Sequence, residues 1–396
     1  MSSSPPLPPL TPTPSESSLF DYILTSLTHP LCPPSISSST LRVAGGWVRD
    51  KLLNKQSDDI DIAIDTGTGT ELAEWLCEYA DLTKSNQETT AGGGKEDNNN
   101  KEVGKPSRYH KILANPSQSK HLETATMKVH HYSLDLVNLR SESYASSSRI
   151  PSVEIGTVGE DAVRRDFTCN ALFYNLSTCK VEDYTGRGIK DLTERVLRTP
   201  LEARVTFSDD PLRLLRAVRF AGRLGFTLDR GVVEAAGDKN VREGLINKVS
   251  RERIGKEVAG FFRNSQGAGE SFRICYKLGL INLLYGIEGW GIDVSWDWVK
   301  HFRGLLGGLK DEEVRVLYLS GPLGGCGGGE VEEVNKNGTV RMVGVAVKAV
   351  RDGLKQKTND AARVGVVTGA GLGGVIGMVK RLEEGGEVRA RRDDSG

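Results

Sequence analysis

Residues 57–65 read SDDIDIAID, and the fold turns on this stretch. Isoleucines at 60, 62 and 64 occupy every second position, which predicts a strand with one apolar face. Asp59 and Asp61 then leave the opposite face together. Adjacent carboxylates repel unless a positive charge sits between them, and Mg²⁺, a cation that takes oxygen ligands, is the usual solution. The alternative on this pattern alone is an edge strand with its charges in water. Asp58 and Asp65 read as solvated flanks of the pair.

The neighbouring segments weigh on that choice. Upstream, LRVAGG (41–46) reads as a strand closing on a glycine pair, and GWVRDKLL opens a helix. Gly45 and Gly46 would let backbone N–H groups approach a phosphate, with the helix start favouring an anion and Arg49 one turn on adding a charged donor. A glycine pair before a helix is by itself most often a tight turn. Followed by a helix and then D-x-D on the next strand, it reads as a phosphate cradle beside a metal site. Downstream, RRDFTCNAL (164–172) sets Arg164, Arg165 and Asp166 ahead of a strand. These could hold a triphosphate and a ribose hydroxyl; the alternative is a solvated helix end. In DDPLRLLRAVRF (209–220), Arg213, Arg216 and Arg219 recur every third residue and share a helix face, with Asp210 one turn before Arg213. An acceptor beside a donor can read a base edge as another base would. No acid stands at i+4 on that face to explain the arginines as salt bridges within the helix.

The whole chain frames these motifs. Its 396 residues suit two or three domains, and an apolar fraction of 38 % supports real cores. Lys plus Arg and Asp plus Glu are both 52, so no global field steers the chain toward nucleic acid and any basic surface must be local. The six cysteines make no CxxC pair and no zinc spacing, which suits a reduced, intracellular, cytoplasmic protein. No apolar run approaches a membrane span. The Pro/Ser-rich start (MSSSPPLPPLTPTPSESS) reads as disordered up to residue 19, with a short helix over 20–28. Its first basic residue is Arg42, a poor pattern for a mitochondrial presequence; serine richness leaves a plastid signal open. ELAEWLCEYA (71–80) carries Leu72, Trp75, Leu76 and Tyr79 on one helical face, and 87–107 reads as a low-complexity insertion. Helices dominate from about 209, with Asp209 or Ser208 capping the arginine helix and Ser250 capping SRERIGKEVAGFF; 321–338 reads as loose and 343–357 as helical. Gly369, Gly371 and Gly374 mimic a dinucleotide fingerprint, but too little sequence follows for its second strand and acid.

Taken in order, GGWVRDKLL…DDIDIA, DLVNLRSESY…SRIP, RRDFTCNALFYN, VEDYTGRGIKDL, DDPLRLLRAVRFAGRLGF and SRERIG resemble the successive motifs of class II CCA-adding tRNA nucleotidyltransferases, eukaryotic branch, which share them with bacterial poly(A) polymerases. The resemblance covers about residues 38–290. It implies an α+β fold: a polymerase-β-type nucleotidyltransferase head, a small mixed sheet with helices, over 20–180, then an all-α neck over 181–265 and a helical body over 266–396 whose tail domain is shortened or missing. It implies addition of C, C and A to the tRNA 3′ end from CTP and ATP, two Mg²⁺ ions, no membrane and no obligatory protein partner. By position, Asp59 and Asp61 match the metal pair, Asp135 a third acidic position, Gly46 and Arg49 phosphate contacts, and Arg165 and Asp166 contacts to triphosphate and sugar. Asp210 and Arg213 match the amino-acid template that selects C and A, and Arg216 and Arg219 further nucleotide contacts. Two departures are mild: Cys169 replaces a usual isoleucine, and Asn54 a common glycine at a surface turn.

Overall fold

The computed structural model describes residues 7–90, 109–112, 124–129, 132–143, 152–263 and 265–286, with Leu319, 330–334, 340–344, Val350, Leu354 and Lys355 beyond them. The chain divides into two units, Met1–Asp209 and Asp210–Gly396.

The first unit runs α1 (Pro14–Leu27), α2 (Pro34–Ser37), β1 (Leu41–Ala44), α3 (Gly46–Leu52), β2 (Asp59–Ile64), α4 (Gly69–Thr90), β3 (His110–Ile112), β4 (Thr124–Val129), β5 (Tyr132–Asn138), β6 (Arg140–Ser143), β7 (Ser152–Ile155) and α5 (Val158–Val163). A 3₁₀ turn (Thr168–Asn170), β8 (Leu172–Asn175), β9 (Lys180–Asp183), α6 (Gly188–Glu194), β10 (Val196–Leu197) and α7 (Ala203–Asp209) complete it. Seven strands form one sheet in the order β3-β4-β5-β2-β1-β8-β9. β2 and β5 pair in parallel, and the other neighbours are antiparallel.

The alternation in SDDIDIAID settles which way the sheet faces. Ile60, Ile62 and Ile64 are buried with Leu41, Val43, Leu134 and Leu136, each worth about 1.5–3 kcal/mol. α4 packs on β4 and β5, with Leu72, Trp75, Leu76 and Tyr79 buried as their spacing requires. The other face is split along the strand. At its far end Ala63 joins Ala44, Leu139, Ala162, Ala171 and Phe173 in a small apolar cluster beside α5. At its near end stand the exposed Asp59 and Asp61.

Three features depart from expectation. First, the first helix starts at Pro14, not Phe20. Thr13 caps α1, and Glu16 answers it: the Glu16 N–H donates to Thr13 Oγ1 at 3.2 Å and the Thr13 N–H to Glu16 Oε2 at 2.7 Å. T-P-S-E is therefore a capping box that Pro/Ser-rich composition concealed. Second, the first unit extends to Asp209 and not to 180, because β9 pairs with β8 and the following turn, held by Asp183 accepting from Thr185 and Ile189, folds α6 back on the 3₁₀ turn. Third, β12 (Glu330–Val334) and β13 (Val340–Gly344) form an antiparallel hairpin where a glycine-rich loose segment and a wholly helical body were expected. β-branched valines at 331, 334, 340 and 343 outweigh the surrounding glycines. The insertion expected over 87–107 begins inside a helix, since α4 runs to Thr90, and Val343 and Gly344, expected to be helical, belong to β13; the rest of the insertion, most of 345–357 and the GxGxxG segment lie outside the described residues.

In the second unit, α8 (Leu212–Leu224) packs against α11 (Arg251–Phe261) and α12 (Ser265–Lys277); between these lie β11 (Thr227–Leu228), α9 (Arg230–Gly237) and α10 (Lys239–Lys248), and α13 (Ile281–Tyr285) follows. Gly222 makes the α8–α12 approach possible: a Cβ there would stand 2.8 Å from the Gly267 carbonyl oxygen. Ser250 caps α11 as its sequence requires.

Candidate active site

β2 and β5 bring three acids together. In their parallel register Asp61 stands opposite Asp135 and Asp59 opposite Ser133. Paired strands lie about 4.8 Å apart, so the three carboxylates share one face at one end of the sheet. Thr126 on β4 donates its hydroxyl to Asp135 Oδ1 at 2.7 Å. The Asp61 carboxyl is pushed up to about 6, first by the dense surroundings that strip water from it, then by Asp135, with Asp59 adding and Arg165 opposing. Asp58 is exposed, as a flank should be. Asp65 is not simply solvated: it accepts the Thr40 N–H at 2.8 Å and pairs with Arg42 at 3.5 Å, tying β1 to β2.

Gly45 and Arg165 meet beside this cluster. Gly45 has φ +70°, and a Cβ on it would lie 2.9 Å from Arg165 Nη1 and 3.2 Å from the Asn170 carbonyl oxygen. Only glycine meets both constraints. Gly46 has ordinary space around it, its nearest neighbour being Arg49 Nη2 at 3.8 Å. Arg165 lies over the Phe173 ring, 4.9 Å from its centroid. Its Nε and Nη2 donate to Asp161 Oδ2 at 2.8 and 2.7 Å, and its Nη1 donates to the Asn170 carbonyl at 3.3 Å. Arg164 donates to Asp161 Oδ1 through Nε at 2.9 Å. Asp161, 1 % exposed, was not among the expected site residues. Burial alone would raise its carboxyl, but Arg165 and then Arg164 hold it below the ordinary range. Its signal was in the sequence: DAVRR places both arginines at i+3 and i+4.

Arg49 and Asp166 face inward. Arg49, 3 % exposed, donates to Asp50 Oδ1 at 2.8 Å and to Asn170 Oδ1 at 2.5 Å. Asn170 in turn donates to Asp166 Oδ1 at 2.9 Å, which also accepts the Phe167 N–H. The chain Asp50–Arg49–Asn170–Asp166 braces α3 against the 3₁₀ turn. Cys169 is fully buried and its thiol is pushed up to about 12 by that burial, an inert filler in the isoleucine position. Asn54, at φ +56°, sits in the left-handed region that explains glycine's frequency there.

In the second unit, taken by itself, neither Asp209 nor Ser208 caps α8: Pro211 stands at the N-cap without a side-chain cap bond, and Asp210 Oδ1 accepts the Leu212 N–H at 3.2 Å. The two earlier residues are instead in or at the end of α7. Asp210 Oδ2 pairs with Arg253 of the SRERIG segment at 3.3 Å. The arginine stripe does find an acid, on another helix: Glu257 of α11 accepts from Arg219 Nε at 2.6 Å and lies 3.9 Å from Arg216. A search for partners along α8 alone could not reveal it. Gly260 gives Arg219 room, since a Cβ there would lie 2.6 Å from Arg219 Cδ. Arg213 is half-buried on the same helix.

The acid cluster fits Mg²⁺ in donor chemistry, with hard carboxylate oxygens and a carboxyl pKa raised in part by mutual repulsion. Among the described residues no three His, Cys, Asp or Glu side chains close into a metal cage. Mg²⁺ does not need one: it takes one or two carboxylates and fills its octahedron with water and phosphate oxygens. Among the described residues no helix is long and apolar enough to cross a membrane.

Residues 41–198 match the poly A polymerase head domain. The chain is 50 % identical over 219 residues to the mitochondrial CCA tRNA nucleotidyltransferase of Candida glabrata, spanning 55 % of this chain and 38 % of that protein. It is 38 % identical over 288 residues to tRNA nucleotidyltransferase cca1 of Schizosaccharomyces pombe, 71 % of this chain and 54 % of that one. The chain thus spans about half, or less, of these relatives' length. A solved CCA-adding enzyme in an apo form superposes with a TM-score of 0.60 at 21 % identity, covering 95 % of this chain and 75 % of that one, which is a likeness of fold.

Proposed function

We propose that this chain, whose residues 41–198 match the poly A polymerase head domain, adds C, C and A to the 3′ end of tRNA, taking CTP and ATP without a nucleic-acid template. One observation carries the reading: the β2–β5 register that sets Asp61 opposite Asp135, with Arg165 and Gly45 beside them. In the reaction the RNA 3′-hydroxyl oxygen bonds to the nucleotide α-phosphorus, the α–β bridging bond breaks, and pyrophosphate leaves with that electron pair. Asp59 and Asp61, with Asp135 beside them, would hold two Mg²⁺ ions. Bound there, Mg²⁺ supplies charge neutralisation on the phosphates and a lower pKa for the hydroxyl. The Gly45 N–H is taken by the Leu172 carbonyl at 2.9 Å, so the first turn of α3 from Gly46 onward would supply the N–H groups to phosphate, and Arg165, oriented by Asp161, offers its Nη1 edge to the same charge. Arg164 shares that orientation. Arg49 and Asp166 act in this reading by bracing the turn from inside. Asp210 and Arg213 would select the base by hydrogen bonding, with Arg216 and Arg219 keeping α8 in place through Glu257.

Poly(A) addition, or addition of C or A only, is the second reading, favoured by the name of the head family itself. Labelled CTP and ATP, separately and together, with Mg²⁺ and a tRNA lacking its 3′ CCA, separate the two. Addition that stops after C-C-A supports the first reading. A long A-tract, or a product ending at C-C, overturns it in favour of the second. Arg213→Ala is expected to blur nucleotide choice while incorporation persists. For compartment, the cytoplasm read from the sequence is set against the mitochondrial name of one relative; imaging a fluorescent fusion of the chain decides between them.

A further inference from the structure

Glu16 is an acid that the nucleotide reading does not use. It lies 25 residues ahead of the segment matching the head family, which begins at Leu41. Yet it is 1 % exposed and both its carboxylate oxygens are engaged. Oε1 accepts the Trp47 indole N–H at 2.9 Å. Oε2 pairs with Lys51 Nζ at 2.7 Å and accepts the Thr13 N–H at 2.7 Å. Trp47 and Lys51 are i and i+4 on α3, so one carboxylate grips the same helix face twice. Burial alone would raise the Glu16 carboxyl, but Lys51, Thr13 and Trp47 together hold it below the ordinary range, so it is ionised. The contact is well packed: Phe20 of α1 meets the Trp47 ring edge-on at 5.6 Å, Tyr174 lies 5.8 Å from it, and the Lys51 ammonium sits 5.5 Å from its centroid.

α3 has seven residues, too few to hold its own geometry. Buried Val48 and Leu52 and the bond from the Gly45 N–H to the Leu172 carbonyl seat it on the sheet, and polar side-chain anchors add to these. Arg49 supplies one, toward Asn170. Glu16 supplies another, through Trp47, which directly follows Gly46 in the chain. We propose that Glu16 is a positioning residue for the Gly45–Gly46 turn, reaching from α1 to fix how α3 presents that turn to a nucleotide phosphate. This rests on the reading of the turn as phosphate-facing.

The test uses the full chain and two variants. Glu16→Gln keeps the volume but leaves a single acceptor oxygen for three donors. Trp47→Phe keeps an aromatic ring against Phe20 and Tyr174 and removes only the N–H. Equilibrium binding of CTP and of ATP, steady-state incorporation and thermal unfolding are measured for each. Both variants are expected to raise nucleotide Kd and KM about ten-fold, in keeping with the cost of a small misplacement, with kcat within about three-fold of the unaltered chain and KM for tRNA unchanged. If thermal midpoints fall while nucleotide Kd and KM stay within about two-fold, Glu16 is a structural staple and the proposal is wrong. If Glu16→Gln does not fold, Trp47→Phe decides by the same readouts. If the unaltered chain binds neither CTP nor ATP, the phosphate-facing reading falls first and takes this inference with it.

Discussion

The first unit holds two kinds of acid, and they are treated oppositely. Asp59, Asp61 and Asp135 stand exposed on one sheet end, facing one another across the β2–β5 register. Glu16 and Asp161 are each 1 % exposed, and every charge they carry is met by cations and N–H groups. A protein built only for stability would do the reverse, spreading exposed like charges and burying few. The pairing of the buried acids shows that this chain can balance a carboxylate where balance is wanted. In the proposed function the crowding of the open ones would be answered by an outside cation.

Removing one charge from each group should break the symmetry. Asp61→Asn is expected to lower incorporation by on the order of 10³-fold, the scale of losing a preorganised electrostatic group, while thermal stability holds or rises. Normal single-turnover rates in this variant would end the contrast. Asp161→Ala should instead cost about 1–3 kcal/mol in urea unfolding, because it takes the buried carboxylate partner from two half-buried arginines. A loss under about 1 kcal/mol would mean that Arg164 and Arg165 find other partners.

A backbone change sharpens the point. Gly45→Ala puts a Cβ 2.9 Å from Arg165 Nη1 at a positive φ, which should cost about 1–2 kcal/mol in thermal or urea unfolding and weaken nucleotide binding measured by titration. Next comes pH. The folded-state pKa of Asp61 is raised from 3.8 to about 6, so the folded chain binds the extra proton and stability falls as pH rises through that window. Asp61→Asn removes this slope, so its thermal midpoint relative to the unaltered chain should climb across the same window. Glu16 and Asp161 are lowered. Their stabilisation is present above the ordinary carboxylate pKa and is lost as pH falls through the folded value. The deficit of Glu16→Gln should therefore shrink in acid. Parallel slopes for the two variants would refute the comparison. The smallest effect belongs to the second unit: Arg253→Ala breaks a pair whose side chains are 51 % and 31 % exposed, and should cost under about 1 kcal/mol. A larger loss would show that Asp210 depends on Arg253 for its orientation.

How much of this could be read in advance follows from the range of each signal. Alternation in SDDIDIAID was enough to put Asp59 and Asp61 on one face, because a strand's side chains alternate whatever surrounds it. The α4 face, the Ser250 cap and the left-handed Asn54 turn were legible for the same local reason. The capping box at Thr13 and Glu16 was equally local and was hidden only by the composition around it. Which acid meets which base was another matter. Asp135 reached Asp61 by parallel pairing across more than 70 residues of chain, Glu257 reached Arg219 from a different helix, and Glu16 reached Trp47 and Lys51 across a packed interface. Backbone periodicity is imposed by covalent geometry and acts within a few residues, so it survives in the bare sequence. Charge pairing depends on which surfaces the hydrophobic core brings together, and only the folded chain specifies that.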